Sequence, residues 1–271
     1  MIRIKKTSSK KISKFLGQTG FLLEMEANKI LVSQDWEASP EFFIDLEENK
    51  RREIDIIAFK KINNINVYLV IECKQSLIHD WIFLRTGGKP KRYYSFVKHL
   101  PRVDDSLSTL GHNNLFDHLH TMNFKYPLAQ NYSTYFKTKN KAGENLQIEK
   151  CIYKLPKALI HKSSSSISKE RYLFFLVALF SGQIFFVHYR RKLSVGEPFM
   201  VQFPVELDSK AYQQNLPDAN PRLIFSPRFI IDFLTLINFE RYLVLIDKEV
   251  KKIPVENWTV PEDRAPSLPT V

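Results

Sequence analysis

Residues 51–75 read RREIDIIAFKKINNINVYLVIECKQ, two apolar runs separated by Asn63 and Asn64. A two-residue turn rich in asparagine is a common hairpin connection, so the two runs are predicted to be antiparallel strands. If the turn consists of these two residues alone, Ile62 faces Ile65 across the ladder. The register of the whole hairpin then follows, because opposed residues keep a constant sum of their numbers.

Three charged residues interrupt these apolar strands: Asp55 on the first strand, and Glu72 and Lys74 on the second. The register predicted from the turn puts Asp55 opposite Glu72, with their Cβ atoms about 5 Å apart. Because side chains alternate along a strand, Lys74 shares this face, whereas Cys73 points to the other one as a buried thiol. Two adjacent carboxylates repel each other unless a cation lies between them. The pattern therefore predicts a site suited to a hard divalent cation such as Mg²⁺.

The burial of the hairpin is also expected from its sequence. On the first strand, Ile54, Ile56 and Ala58 are predicted to face one way, and Asp55 and Ile57 the other. The second strand is nearly all apolar from residue 67 to residue 71, which is typical of a central strand that is covered on both faces.

A helix is predicted upstream, from Thr19 to about Gln34, because apolar residues recur there at helical spacing. Its predicted buried face consists of Leu23, Ala27, Ile30 and Leu31. Glu24 and Glu26 fall on the two edges of this face. Either carboxylate could reach a site beside the helix, and the periodicity does not choose between them.

The remaining chain is predicted to contain further strands and helices. Residues 172–189 are strongly apolar but are interrupted by Ser181, Gly182 and Gln183, which favours two buried strands joined by a tight turn over a membrane span. The other predicted elements are a strand at 36–45, a largely helical stretch at 128–162 broken near 141–143 and at Pro156, a strand at 229–237 and a helix at 239–253.

The composition favours a polyanionic partner in a reducing compartment. The chain has 271 residues and a net charge of +11, which favours nucleic acid ahead of a membrane surface. Its two cysteines have no paired spacing, which argues for the cytoplasm and against a zinc–thiolate site. The basic first residues lack the apolar segment of a secretory signal.

Two basic segments are candidates for contact with phosphates. The N-terminal one could equally be a solvated tail, whereas the other favours a nucleic-acid surface over a surface loop whose aromatic residues pack inward. The first is the arm at residues 1–16; the second interleaves basic residues with Tyr93, Tyr94 and Phe96. The basic residues concerned are Lys5, Lys6, Lys10, Lys11 and Lys14 in the arm, and Arg85, Lys89, Lys91, Arg92 and Lys98 in the second segment. The spacing of His112, Asp117, His118 and His120 matches no strong zinc pattern, so these are expected to be surface residues.

The order of a helix, a strand, a strand bearing Asp55 and a strand bearing Glu72-Cys73-Lys74 resembles the PD-(D/E)xK nuclease superfamily. The matching segments are REIDIIA and LVIECK. Upstream, residues 20–24, GFLLE, look like the first helix of archaeal Holliday-junction resolvases and of Mrr-like or RecB-like nucleases. In those proteins this helix carries an acidic metal ligand a few residues after a glycine, so the resemblance favours Glu24 over Glu26.

This resemblance implies an α/β fold of the restriction-endonuclease-like type, with a central mixed β-sheet flanked by helices, insertions, and extra C-terminal strands and a helix. A single domain is expected at residues 17–253, between the basic arm at 1–16 and a proline-rich tail at 254–271. The sequence departs from the family pattern, because the proline before the first aspartate is absent. Gln75, which directly follows Lys74, is a weak site candidate.

The resemblance also implies a function, namely metal-dependent hydrolysis of DNA in defence, repair or recombination. Asp55 and Glu72 would hold Mg²⁺ or Mn²⁺, Glu24 would assist directly or through water, and Lys74 would orient the attacking water. Two alternatives stay open: a nucleic-acid-binding module that does not cut, and an interaction subunit of a larger defence or transposition complex. A homodimer is an option, since two-fold dimers suit enzymes that cut both strands.

Overall fold

The computed structural model describes residues 20–86, 126–138, 141–143, 145–164, 172–189, 192–207 and 228–253. These residues form three helices and eleven strands. The helices are α1 (Phe21–Ser33), α2 (Leu146–Ser164) and α3 (Leu236–Lys251). The strands are β1 (Glu37–Asp45), β2 (Lys50–Ile62), β3 (Ile65–Lys74), β4 (His79–Thr86), β5 (Asn131–Phe136), β6 (Lys141–Gly143), β7 (Tyr172–Phe180), β8 (Ile184–Tyr189), β9 (Leu193–Gly196), β10 (Val201–Glu206) and β11 (Arg228–Thr235).

In the described residues, the larger of two sheets has six strands in the order β1-β2-β3-β7-β11-β10. Strands β3, β7 and β11 are parallel, and the other neighbouring pairs are antiparallel. The fold is therefore α/β with mixed sheets flanked by helices, which agrees with the predicted fold class. Strand β3 lies between β2 and β7 and is buried on both faces, which confirms its predicted central position.

The β2–β3 hairpin has the predicted turn. Asn63 and Asn64 both have positive φ angles, 50° and 57°, as a type I′ turn requires. Ile62 is paired with Ile65, and the register continues unchanged to Ile56 and Ile71. The ladder ends there, one pair before the expected partners Asp55 and Glu72.

A β-bulge in β2 explains this early end. Ser39 of β1 pairs with Ile57, but Glu41 pairs with Ile54, so Asp55 and Ile56 together oppose the single residue Pro40. Proline has no N–H to donate, and its position in an edge strand is one where an irregular ladder is tolerated. The inserted residue also reverses the alternation of side chains.

The predicted face of Ile54 is therefore wrong. Ile54 packs in the same cluster as Ile57, whereas Ile56 and Ala58 pack in the cluster on the other face. The bulge lies between them, so residues on either side of it no longer follow one alternation. Asp55 is at this irregular point of the strand.

Helices cover both faces of the six-stranded sheet. Helix α1 forms as predicted and buries Leu23, Ala27 and Leu31 against one face, together with α3. Helix α2 covers the opposite face through Ile148, Cys151 and other apolar residues. Among the described helices, none is long and apolar enough to cross a membrane.

The second sheet has five strands in the order β6-β5-β4-β8-β9. It corrects the expectation that residues 172–189 form a hairpin, because β7 and β8 are both strands but lie in different sheets. Gly182 lies in the connection between them, where a Cβ atom would stand 2.9 Å from the carbonyl oxygen of His79. Only glycine fits without a shift, since that oxygen belongs to the backbone.

The stretch at 128–162 is not largely helical as predicted. Its first part forms β5 and β6, because Asn131–Phe136 is rich in aromatic and hydroxylated residues and pairs with β4. The break near 141–143 is the short strand β6, and Pro156 lies inside α2 instead of ending it. A buried apolar face on both sides of the proline offsets the loss of one helical hydrogen bond.

Several predicted features lie outside the described residues. These are the basic arm at 1–16, the basic residues Lys89, Lys91, Arg92 and Lys98 with their aromatic neighbours, the histidines His112, His118 and His120 with Asp117, and the tail at 254–271. Of the second basic segment, Arg85 is described and lies on β4.

Candidate active site

The candidate site lies at the carboxyl ends of the parallel strands of the six-stranded sheet, where Asp55, Glu72 and Lys74 come together. Lys74 is the last residue of β3, and its neighbour in the parallel strand β7 is Phe180, the last residue of that strand. The carboxyl ends of parallel strands are a frequent location of ligand sites in α/β folds, because the connections diverge there and leave a crevice.

The Asp55 carboxylate is fixed by the backbone of β3. Its Oδ2 atom accepts a hydrogen bond of 2.7 Å from the N–H of Cys73. The side chain thus takes over a β3 donor just beyond the point where the bulge in β2 ends the regular ladder. The second oxygen, Oδ1, is left to face the opposite helix α2.

Glu72 is almost completely buried, with 2% of its side chain exposed. Lys74 donates a short hydrogen bond to Glu72 Oε1. On the other side of the carboxylate, Nζ of Lys154 from α2 lies 2.6 Å from Glu72 Oε2 and 3.6 Å from Asp55 Oδ1. Each oxygen of Glu72 therefore faces an ammonium group, and one of these ammonium groups also faces Asp55.

Burial and pairing shift the pKa values of these groups. Burial raises the pKa of Glu72, and the charges of Lys74 and Lys154 oppose that shift. Burial alone would lower the pKa of Lys74, but the attraction of Glu72 and Asp55 outweighs it and raises the pKa instead. Lys74 is thus held as an ammonium at neutral pH, which suits electrostatic stabilisation more than proton abstraction.

Glu24 approaches the same edge from the first turn of α1, on the opposite side of the sheet from α2. A Cβ atom on Gly20 would lie 3.3 Å from Glu24 Oε1 and 4.0 Å from the carbonyl oxygen of Cys73. Burial raises the pKa of Glu24, and the negative charges of Asp55, Glu53 and Glu72 raise it further. Glu24 therefore lies close enough to the carboxylates on β2 and β3 for their charges to raise its pKa, whereas Glu26 is exposed.

The number of grouped carboxylates decides which metal ion fits the site. In the described part of the chain, no three His, Cys, Asp or Glu side chains are grouped so as to hold one. Asp55 and Glu72 form a pair, with Glu24 outside it. A pair fits Mg²⁺, which keeps several waters and commonly takes only one or two protein carboxylates, and it does not fit a closed zinc site. A cation already stands between the two carboxylates, in the form of the Lys154 ammonium.

Lys154 is the site residue that the sequence reasoning missed. It is flanked on α2 by the buried residues Cys151, Leu155 and Ala158, at positions three before, one after and four after it. A lysine among the buried apolar positions of a helix is a signal in itself, because an ammonium partly withdrawn from solvent favours an acidic partner. Which carboxylates supply that partner becomes visible only once α2 is placed on the sheet.

Gln75 contributes through its backbone. Its carbonyl oxygen accepts a hydrogen bond of 3.3 Å from Nε2 of Gln147, in the first turn of α2. Nearby, the N–H of Ser181 bonds to the carbonyl oxygen of Lys74, at 3.2 Å. These bonds fix the end of β3 to α2 and to the end of β7, and so hold the elements that carry the site.

Comparisons of the chain with protein-family models, with curated proteins and with solved structures found no match.

Proposed function

We propose that the chain is a metal-dependent nuclease that hydrolyses phosphodiester bonds in DNA, with a restriction-endonuclease-like fold. The observation that carries the proposal is the convergence of Asp55, Glu72 and Lys74 at the carboxyl end of β3, with Glu24 within electrostatic reach. The resemblance to the PD-(D/E)xK pattern supplies the chemistry for these residue types, and the net charge of +11 suits a polyanionic substrate.

Asp55 and Glu72 would hold Mg²⁺ or Mn²⁺, and Glu24 would act on the metal's water ligands from α1. A divalent ion at this place supplies positive charge for the scissile phosphate and acidifies a bound water. The Lys74 ammonium would orient the attacking water and stabilise the negative charge that develops on the phosphate. The hydrogen bond from Cys73 N–H keeps the Asp55 carboxylate in place for this task.

A cleavage assay tests this proposal on supercoiled, linear, single-stranded and branched DNA, with Mg²⁺ or Mn²⁺ and with EDTA. We expect cleavage that EDTA abolishes. Asp55→Asn keeps an acceptor for Cys73 N–H but removes the charge, and should reduce cleavage to background; Lys74→Met should reduce it by about 10²- to 10³-fold.

Glu24 and Glu26 provide a matched pair of variants on one helix. Glu24→Gln should weaken cleavage, whereas Glu26→Gln should leave it unchanged, because Glu26 is exposed on the other edge of α1. Undiminished cleavage in both Asp55→Asn and Lys74→Met would show that the activity comes from elsewhere in the chain.

A second function is favoured by one observation, the position of Lys154. Its ammonium neutralises Asp55 and Glu72 without a metal, as expected of a nucleic-acid-binding module that does not cut. The cleavage assay together with a DNA-binding titration at several salt concentrations separates the two functions. Salt-sensitive binding of DNA without cleavage of any of the four substrates would favour the binding module.

A further inference from the structure

Two ammonium groups neutralise the Glu72 carboxylate from different parts of the fold. Lys74 comes from the same strand, two residues along, and bonds to Oε1. Lys154 comes from α2 and lies 2.6 Å from Oε2. With Lys154 also 3.6 Å from Asp55 Oδ1, its Nζ atom occupies the space that these two carboxylates share.

The backbone that carries Lys154 is held firmly on the sheet. Ile148, Cys151 and Leu155 of α2 are fully buried beneath it. One turn further along, Lys157 bonds to both carboxylate oxygens of Asp45 at the end of β1, at 3.1 and 3.0 Å. The position of Lys154 therefore follows from the docking of the whole helix.

The Lys154 side chain is nevertheless partly open to solvent. It is 23% exposed, whereas that of Glu72 is 2% exposed, so it reaches the carboxylate from the solvent side. A long lysine side chain reorients at low cost when its partner is neutralised by another cation. A divalent ion brings twice the charge to the same oxygen atoms.

We propose that Lys154 is a positioning residue that acts as an internal counter-ion, holding Asp55 and Glu72 together until a divalent metal displaces its ammonium. This inference rests on the proposed function for the identity of the metal. A divalent ion bound to both Asp55 Oδ1 and Glu72 Oε2 would stand where the Lys154 ammonium now lies, so Lys154 and the metal compete for this position. The lysine keeps the buried carboxylates neutralised in the metal-free protein, at the expense of metal affinity.

Calorimetric titration with Mn²⁺ and urea unfolding in EDTA test the competition in the full chain. Lys154→Met removes the competing charge and should bind Mn²⁺ about 10- to 100-fold more tightly, the factor expected when one close contact between charged groups no longer has to be broken. In EDTA it should unfold at a lower urea concentration. Lys150→Met is the matched control on an exposed position of the same helix and should behave as the wild type in both measurements.

A measurement on the wild-type protein avoids dependence on the folding of one variant. Displacement by metal should expose the Lys154 amine, so its labelling by an amine-reactive reagent, followed by mass spectrometry, should rise severalfold when Mn²⁺ is added. Labelling of Lys150 should stay constant. Lys154→Gln provides a second variant that keeps a donor for Glu72 while removing the charge.

The outcomes separate this inference from the proposed function. Equal Mn²⁺ affinity in wild type and Lys154→Met, with constant labelling of Lys154, would overturn the inference even if the wild type cleaves DNA. Tighter binding in the variant without cleavage by either protein would support the inference and contradict the nuclease. Absence of Mn²⁺ binding in every variant would overturn both.

Discussion

Asp232 on β11 is a fully buried carboxyl group at some distance in sequence from the site residues. Gln202 Nε2 donates to its Oδ1 at 3.0 Å, and the Tyr242 hydroxyl donates to its Oδ2 at 2.7 Å. Burial raises its pKa to about 6, although these two hydrogen bonds favour the charged form. The group therefore links β10, β11 and α3 through two uncharged donors.

The raised pKa predicts a specific pH dependence of stability. A carboxyl group that holds its proton more tightly in the folded state stabilises the fold below its unfolded pKa, near 3.8, and that stability is lost as the pH rises through about 6. Over the whole pH range of this titration, the free energy of unfolding falls by up to about 3 kcal/mol. About half of that decrease occurs between about pH 5 and about pH 7.5. The difference in the free energy of unfolding between wild type and Asp232→Asn, from urea titrations, should fall by that amount. A difference that does not vary with pH would contradict the raised pKa.

The residues of the candidate site differ in how readily the sequence predicts them. Glu72 and Lys74 are two apart on one strand, so alternation alone puts them on one face. Glu24 could be preferred over Glu26 only through the resemblance to known nucleases, because the helical periodicity puts each of them on an edge of the buried face. Lys154 contacts residues far from it in sequence, and its partners depend on how α2 crosses the sheet. Their catalytic and metal-binding roles stay predictions.

At the level of elements, the Asn63–Asn64 turn sets the register that brings β2 and β3 together. Asn64 has a φ of 57°, where a Cβ atom crowds the backbone in most residues. Asn64→Ala should therefore lower the free energy of unfolding by about 1 kcal/mol, and Asn64→Gly should leave it unchanged or raise it. Urea titrations of the two variants measure both values.

The paired variants distinguish backbone strain from a lost contact. Both remove the Asn64 side chain, but only alanine retains a Cβ atom. Asn63 is a less suitable position, because its Nδ2 atom donates to the carbonyl oxygen of Ile253 at 3.0 Å. Equal stability of Asn64→Ala and Asn64→Gly would argue against a strained left-handed turn.

The bulge at Asp55 shows where element-level prediction ends. The hairpin register follows from the turn and the apolar pattern of its own two strands. The bulge arises from the third strand, β1, whose Pro40 opposes both Asp55 and Ile56. The pairing of β1 with β2 is not encoded in either strand alone, so the reversed face of Ile54 could not be foreseen.

At the level of the molecule, the second sheet is the least predictable part of the fold. Strands β3 and β7 are parallel neighbours in the six-stranded sheet. The strands that follow them in sequence, β4 and β8, are parallel neighbours in the five-stranded sheet. Trp81 of β4 stacks on Phe180 of β7, with ring centroids 3.9 Å apart, and so joins the two sheets. Apolar strands and a turn were visible in the sequence, but a hairpin and a change of sheet have the same local pattern.

The charge of the whole molecule leads to the last prediction. The net charge of +11 is the surplus that remains after pairs such as Lys154 with Glu72 and Lys157 with Asp45 have cancelled. A surplus of this size should bind the DNA backbone by releasing counterions. We expect affinity for duplex DNA to fall by about 10³-fold between about 50 and about 200 mM salt, as for about six phosphate contacts.

Fluorescence anisotropy in EDTA, where cleavage is not expected, measures this affinity. The control is a duplex analogue with an uncharged backbone and the same bases, which should bind weakly and without salt dependence because it has no condensed counterions to release. Salt-independent binding of ordinary DNA, or equal binding of the uncharged analogue, would contradict backbone recognition. Salt-sensitive binding alone would fit both the nuclease and the module that does not cut. The salt series therefore identifies DNA as the partner. Whether the protein also cleaves DNA is decided by the Asp55→Asn and Lys74→Met variants.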